Sequence, residues 1–257
     1  MSDALIVVPC FNEAERLPVE RFASFPAREP SVRFLFVNDG STDSTLELLR
    51  KLQSRNPERF GLLDLGTNLG KAEAVRRGML AAFEQQPSYA GYWDADLATP
   101  LDAIPLFVAL LEERPALEIV LGSRVKLLGR IIERHAMRHY GGRVLATLSS
   151  LALDLAVYDT QCGAKLFRRT PAITALFAEP FVTNWLFDVE LLARFVRERR
   201  GTDRPRAEDA IYEFALHEWR DISGSKIRAR DFFVALTEIG RIYLRYLRGS
   251  GRGHRDH

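Results

Sequence analysis

Short apolar runs recur along this chain, each closed by polar turn residues, and they leave it few ways to fold. Ala4-Leu-Ile-Val-Val-Pro9, Val32-Arg-Phe-Leu-Phe-Val37, Phe60 to Leu65, residues 89–93 and Leu117 to Gly122 are five such runs. Their length and lack of alternation fit strands buried on both faces. Helical patterns lie between them, at Thr45 to Leu52, about Lys71 to Gln85 and about Leu101 to Glu113. Strand and helix in alternation predict right-handed βαβ units, and so an α/β fold with a mostly parallel central sheet flanked by helices.

A sheet of that kind binds ligands at the carboxyl ends of its strands. Polar residues gather at those ends here: Asn12 and Glu13 after the first run, Asp39 after the second, Asn68 and Lys71 after the third, Asp94 and Asp96 after the fourth, Arg124 after the fifth. Turn chemistry or a solvated charge explains each one singly. It does not explain their recurrence at one edge. Asp94-Ala95-Asp96 also follows an apolar run directly, where a buried strand gives way to a loop. A D-x-D triplet alone is common in turns, yet one or two carboxylates completed by substrate phosphates are the usual site for Mg²⁺ or Mn²⁺.

Composition excludes several classes of protein. Only Cys10 and Cys162 are present, far apart and each in an apolar segment, so a disulfide framework is not expected and a reducing compartment is. No basic-then-apolar leader follows Met1, and no stretch reaches the eighteen or so apolar residues of a membrane span. These features predict a cytoplasmic protein, soluble or peripheral on the membrane face. The formal net charge of +2 sets no strong expectation of a nucleic-acid partner.

Two nucleotide-site signatures and the α/β-hydrolase nucleophile elbow are missing. Gly66-x-x-x-Gly70-Lys71-Ala72 is one residue short of a P-loop and has Ala72 where Ser or Thr would bind Mg²⁺; neither G-x-G-x-x-G nor G-x-S-x-G occurs at a strand end. A nucleoside-diphosphate site assembled from separate loops remains.

Val8-Pro9-Cys10-Phe11-Asn12-Glu13, Val37-Asn38-Asp39-Gly40-Ser41-Thr42-Asp43 and Asp94-Ala95-Asp96, in that order at strand ends, resemble the family 2 inverting glycosyltransferases of the GT-A fold. Asp159-Thr-Gln-Cys-Gly-Ala-Lys-Leu-Phe167, Trp185-Leu-Phe-Asp-Val-Glu-Leu-Leu192 and Trp219-Arg-Asp-Ile-Ser-Gly-Ser-Lys226 are similar to the subgroup of dolichyl-phosphate β-glucosyltransferases. The resemblance runs from about Leu5 to Tyr246. It departs from the pattern at Asn38, where the family has Asp, and at Asn184, where the subgroup has Arg.

The resemblance implies a nucleotide-sugar donor, UDP-glucose above all, and a polyprenyl (dolichyl or undecaprenyl) phosphate acceptor. It also implies roles for the strand-end residues. Pro9, Asn12, Glu13 and Asp39 would shape the nucleoside pocket, Asp94 would approach the ribose, Asp96 would hold Mg²⁺ or Mn²⁺, and Lys71 and Arg124 would lie near the phosphates. One catalytic domain over residues 1–248 is expected, with a nucleotide-sugar half to about 124, an acceptor half beyond it, and a disordered basic tail over 249–257.

The acceptor half is rich in arginine. Arg134 and Arg138 are four apart, so on a helix they share a face and could clamp one phosphate from two guanidinium forks. A solvated basic helix face would look the same, and it is the resemblance that turns the reading toward acceptor-phosphate binding. His135 and His139 share that spacing but lack H-E-x-x-H, so zinc is not expected. From Asp231 to Arg248, apolar residues recur at helical spacing with Arg241, Arg245 and Arg248 between them. This predicts a C-terminal amphipathic helix suited either to a membrane surface or to packing on the catalytic domain.

A phosphate acceptor, with its second pKa near ~6, needs no strong base. A soluble or glycan hydroxyl acceptor would need a carboxylate in reach, and Asp188 falls where the wider family places its base. A non-catalytic basic module that binds membrane or nucleic acid is the reading that the arginine-rich segments alone would allow.

Overall fold

In this computed structural model the structure describes residues 2–133, 136–220 and 229–248, and within them the side chains at 133, 136–143 and 229–232 are not described. The first half alternates strand and helix: β1 (Ala4–Cys10), α1 (Val19–Arg28), β2 (Val32–Asn38), α2 (Thr45–Arg55), β3 (Phe60–Asp64), α3 (Lys71–Glu84), β4 (Tyr89–Trp93), α4 (Ala103–Glu113) and β5 (Ile119–Ser123). The second half holds β6 (Ile131–Glu133), α5 (Ala136–Leu153), β7 (Ala164–Arg168), α6 (Pro171–Ala175), α7 (Phe187–Arg199), α8 (Ala207–Ala210), β8 (Ile211–Ala215), β9 (Glu218–Arg220) and α9 (Ala229–Ile242). A π-helical turn, Tyr243–Leu247, prolongs α9.

The main sheet runs β3-β2-β1-β4-β7-β5-β8, with β7 antiparallel to both its neighbours and every other pairing parallel. Side chains alternate across it, so one strand feeds two cores. Leu5 and Val7 of β1 pack in the core that holds Ala74, Val75 and Met79 of α3 and Leu191 and Leu192 of α7. Ile6 and Val8 pack in the other, with Phe22 of α1, Leu49 of α2 and Phe107 of α4. Gly78 lets α3 lie close on the sheet, since a Cβ there would fall 2.4 Å from a Val7 methyl.

Each run read as a strand is one, with ends shifted by one or two residues, as element ends commonly are. The helix α1 and most elements of the second half (β6, β7, α6, α7, α8, β8 and β9) escaped the sequence reading, and two of them show why. The helix α1 carries Pro26 in its interior, a residue that argues against a helix. The strand β7 places Lys165 in the middle of the sheet, and a charge there breaks the apolar signal of a buried strand. The C-terminal amphipathic helix is present as α9 and its π-helical turn. Arg134 and His135, the Asp221–Lys226 part of the third resemblance segment, and the tail expected over 249–257 lie outside the described residues. Arg138 falls in the first turn of α5, placed by its backbone alone.

Candidate functional site: a carboxylate edge linked to a buried lysine

The site grows from loops that tie one strand end to the next. Asn12, at φ 52°, turns the chain after β1; its Oδ1 accepts the Thr42 N–H at 2.8 Å and its own N–H donates to Ser41 Oγ at 3.1 Å. Glu13 N–H donates to Thr45 Oγ1 at 2.8 Å, and Ala14 N–H to Asp43 Oδ2 at 3.2 Å. The two motifs thus form one laced unit across β1 and β2. Half-buried Pro9 sits at the end of β1, beyond Val7, where pairing with β4 stops, so its missing N–H leaves that ladder intact.

Asp39 is buried and holds the next loop. Its two carboxylate oxygens accept the N–H groups of Leu69 and Gly70 at 2.7 and 2.9 Å. Gly40 makes the approach possible: it adopts φ +63°, and a Cβ there would lie 2.3 Å from the Thr67 carbonyl carbon. The loop delivers Lys71 to the start of α3, with its ammonium 2.5 Å from Asp94 Oδ1. Burial alone would lower the Lys71 pKa, but the charges of Asp94, Asp188 and Asp96 together raise it.

Asp94 follows β4 and leans on Gly163, where any Cβ would fall 1.8 Å from Asp94 Oδ2; its N–H donates to Gly163 O at 2.9 Å. Asp96 Oδ1 accepts the Ala98 N–H at 3.0 Å, closing a turn in which Leu97 takes φ 52°. Burial raises the Asp96 pKa, and the Asp94 charge adds to this. Burial also raises that of Glu13, where Asp96 and Asp94 work against the opposing ion pair with Arg16, whose guanidinium lies 2.6 Å away. The other Glu13 oxygen, Oε2, is buried with no hydrogen-bond partner among the described residues. Glu13 and Asp96, whose proton affinity burial and neighbouring carboxylates raise, and the orphaned Glu13 oxygen form with Asp94 a cluster that a cation would relieve. Among the described residues no three His, Cys, Asp or Glu side chains close into a metal cage. The donor set is therefore one or two carboxylates open to further ligands, which suits Mg²⁺ or Mn²⁺ completed by phosphate and water.

The far wall of the site comes from the second half of the chain. Asp188, in the first turn of α7, is 5% exposed, and its Oδ1 accepts from Lys165 Nζ at 2.5 Å and from the Tyr92 hydroxyl. Lys165 is fully buried, donates also to Cys162 O at 2.7 Å, and lies over the Tyr92 ring. Burial and then the Asp188 charge push the Tyr92 phenol well above its ordinary pKa. Asp94, Lys71, Asp188 and Lys165 so form a row of alternating charge that joins the donor edge to α7. Lys165 and Gly163 are the site residues that sequence reasoning missed. A lone lysine inside an otherwise apolar Ala-x-Leu-Phe strand was the available signal for the first.

Arg124 is placed just past β5. It makes a two-pronged ion pair with Asp159, Nε to Oδ2 at 2.6 Å and Nη2 to Oδ1 at 2.7 Å, and stacks over Trp219. Burial opposes its charge, but Asp159 more than compensates and raises the guanidinium pKa. Its contacts brace β5 against the 159–163 segment, close enough to Asp94 for that charge to be felt. Cys10 and Cys162 are free and buried, and burial pushes the Cys162 thiol up to about 11, so neither is a nucleophile.

A mostly parallel sheet with a carboxylate edge at its strand ends defines a nucleotide-sugar transferase of the GT-A class. The chain belongs to the glycosyl transferase family 2, whose model matches residues 5–174, and it is a glycosyltransferase. It is 34% identical to a dolichyl-phosphate beta-glucosyltransferase of Drosophila melanogaster over 96% of this chain and 76% of that one. The human protein of the same description is 32% identical over 96% of this chain and 76% of its own. Among solved structures, glucosyl-3-phosphoglycerate synthase of Mycobacterium tuberculosis with Mn²⁺, UDP and glucosyl-3-phosphoglycerate superposes with a TM-score of 0.65 at 17% identity. That match covers 95% of this chain and 80% of the other, and is a likeness of fold. The same synthase with Mn²⁺ and UDP-glucose also gives a TM-score of 0.65 at 17% identity, over 93% of this chain and 79% of that one.

Proposed function

We propose that this glycosyltransferase moves glucose from UDP-glucose to a polyprenyl phosphate, acting as one catalytic unit over residues 1–248. The observation that carries the proposal is the row from Asp94 through Lys71 to Asp188 and Lys165, because it sets a donor edge that wants a cation against a carboxylate already engaged on one oxygen. The dolichyl-phosphate relatives, aligned over nearly all of this chain, support the acceptor class.

In this reading Asp96 would hold Mg²⁺ or Mn²⁺, which when bound would neutralise charge on the departing diphosphate, and Asp94 would approach the ribose. Lys71 leaves Asp94 for the diphosphate as the donor enters, and Pro9, Asn12, Glu13 and Asp39 frame the nucleoside through the laced loops. An acceptor phosphate oxygen, already ionised, attacks the anomeric carbon in line. The bond from that carbon to the UDP oxygen breaks, its electron pair leaves with UDP, and an α-linked sugar becomes β-linked. Asp188 then orients the sugar through its free oxygen and abstracts no proton. Arg138, with Arg134, receives the acceptor phosphate, and Arg124 stiffens the phosphate side through Asp159.

No helix among the described residues is long and apolar enough to cross a membrane. Leu151 of α5 and Phe233 of α9 are 73% and 69% exposed, and Val144, Leu236 and Leu244 are exposed as well, which supports a peripheral seat on a lipid surface. Purified protein with Mn²⁺ or Mg²⁺ is expected to transfer radiolabelled glucose from UDP-glucose into an organic-extractable lipid when given a polyprenyl phosphate. Transfer only to a water-soluble hydroxyl acceptor, lost in Asp188→Asn, would replace this reading with the glycan one.

A further inference from the structure

The C-terminal helix has an inner face as well as an outer one, and the inner face reaches the site. Glu238 of α9 is 4% exposed although it is a carboxylate. It accepts the Asn184 N–H at 3.0 Å through Oε1 and the Leu186 N–H at 2.8 Å through Oε2, and Trp185 N–H points at the same carboxylate from 3.2 Å. These amides belong to the three residues that lead into α7, the last of them, Leu186, being its capping position. A buried negative charge from a residue 52 positions downstream of Leu186 thus fixes the backbone that enters α7, near the positive end of the helix dipole. Asp188 lies two residues beyond Leu186, in the turn so fixed.

A second tie runs parallel to the first. The Tyr246 hydroxyl, from the π-helical turn, donates to Glu190 Oε1 at 2.8 Å. Glu190 in turn accepts from the Val182 and Thr183 N–H groups and pairs with Arg194 at 2.7 Å. The carboxylate of Glu190 thus ties α7 to the 182–183 segment from within the helix, while Glu238 holds the helix start from outside. Lys165 and Tyr92 hold the Asp188 side chain from the sheet, and Glu238 holds the backbone two residues before it.

We propose that Glu238 is a positioning residue for the transfer reaction: it presets the first turn of α7 and so the direction in which Asp188 faces the donor sugar. This rests on the reading of Asp188 as a group that meets the sugar. The same helix shows Phe233 and Leu236 to the outside.

The test is Glu238→Gln, whose amide keeps one acceptor oxygen and turns an NH₂ toward backbone donors. Hydrogen exchange at residues 184–186 is expected to speed up, with kcat falling on the order of ten- to a hundredfold and the KM for UDP-glucose within about twofold. In the double variant with Asp188→Asn the combined loss is expected to match the larger single loss rather than the product of the two. If Glu238→Gln does not fold, Glu238→Asp, which keeps the charge at shorter reach, should show the same split at smaller amplitude. A kcat within twofold of wild type despite faster exchange, unchanged exchange, or losses that multiply would each overturn the proposal. The exchange measurement needs no substrate, and the kinetics can be run with whichever acceptor the wild-type enzyme uses. Failure of transfer to polyprenyl phosphate would therefore refute the acceptor reading and leave this inference standing or falling by itself.

Discussion

The donor edge and the α7 wall use charge in opposite ways. At the donor edge Glu13, Asp94 and Asp96 are like charges; burial and then their repulsion raise the pKa of Glu13 and Asp96, and an oxygen of Glu13 has no partner among the described residues. At the wall these buried charges have their opposites or their donors: Lys165 with Asp188, Arg194 with Glu190, and Glu238 with the 184–186 amides that lead into α7. The edge holds a need that a bound cation would answer, and stability is given up for it. The wall is complete without any ligand and supplies rigidity. Substitutions should therefore separate: at the edge they remove activity and spare the fold, and at the ion pairs of the wall they cost stability as well as activity.

The sharpest break of this contrast is Asp96→Ala. It is expected to lower kcat on the order of 10³-fold while the melting temperature of the metal-free protein does not fall. Kinetics beside a thermal melt decide it, and a destabilised variant would place Asp96 among the structural charges. Lys165→Met comes next. It leaves Asp188 buried without its counter-ion, for a loss of about 3 kcal/mol in chemical denaturation. A variant as stable as wild type would mean that the wall is less closed than its contacts indicate.

Gly163→Ala sits where the two regions meet. The added methyl must displace the Asp94 carboxylate, and kcat/KM should drop roughly tenfold to a hundredfold, with a weaker thermal shift from Mn²⁺ and UDP. An unchanged enzyme would show that Asp94 can move freely.

The smallest effects lie in the pH dependence, and their signs differ. Glu13 and Asp96 have raised pKa values in the fold, so their stability contribution is full at low pH and is lost as pH rises through those values. Asp96→Asn should therefore stabilise the metal-free protein at neutral pH and lose that advantage on acidification. Away from both regions, on α3, Arg76 hydrogen bonds and the neighbouring Arg77 hold Glu73 at about 2. Its contribution is present above the ordinary carboxylate range and is lost as pH falls through about 2. Glu73→Gln should cost about 1 kcal/mol at neutral pH, a value discounted for partial exposure, and nothing at the acid end. Denaturant titrations of both variants across pH would show two opposite slopes, and parallel slopes would contradict the contrast.

The donor half was legible because its chemistry is written at strand ends. A run of five to seven apolar residues closed by Asn-Glu, Asn-Asp-Gly or Asp-Ala-Asp states both the strand and the edge its polar residues occupy. That determined the α/β class, the parallel order of the first strands and the convergence of Glu13, Asp39, Lys71, Asp94 and Asp96 at one edge.

What those residues do for one another needed the tertiary structure. Asp39 spends both oxygens on the Leu69 and Gly70 amides, and Arg124 is committed to Asp159; neither contact has a local pattern. The wall was the least legible. Lys165 lies in a strand that reads as interrupted, and Glu238 reads as one polar residue of an amphipathic helix until α7 is set beneath it. The physical reason is range. Periodicity and turn chemistry act over a few residues and survive in one dimension, whereas the pairing of a buried charge is decided by whichever distant group the fold brings within three ångströms. The sequence by itself determined the edge where a donor could lie; only the fold decided which charges there are satisfied and which remain open for a ligand.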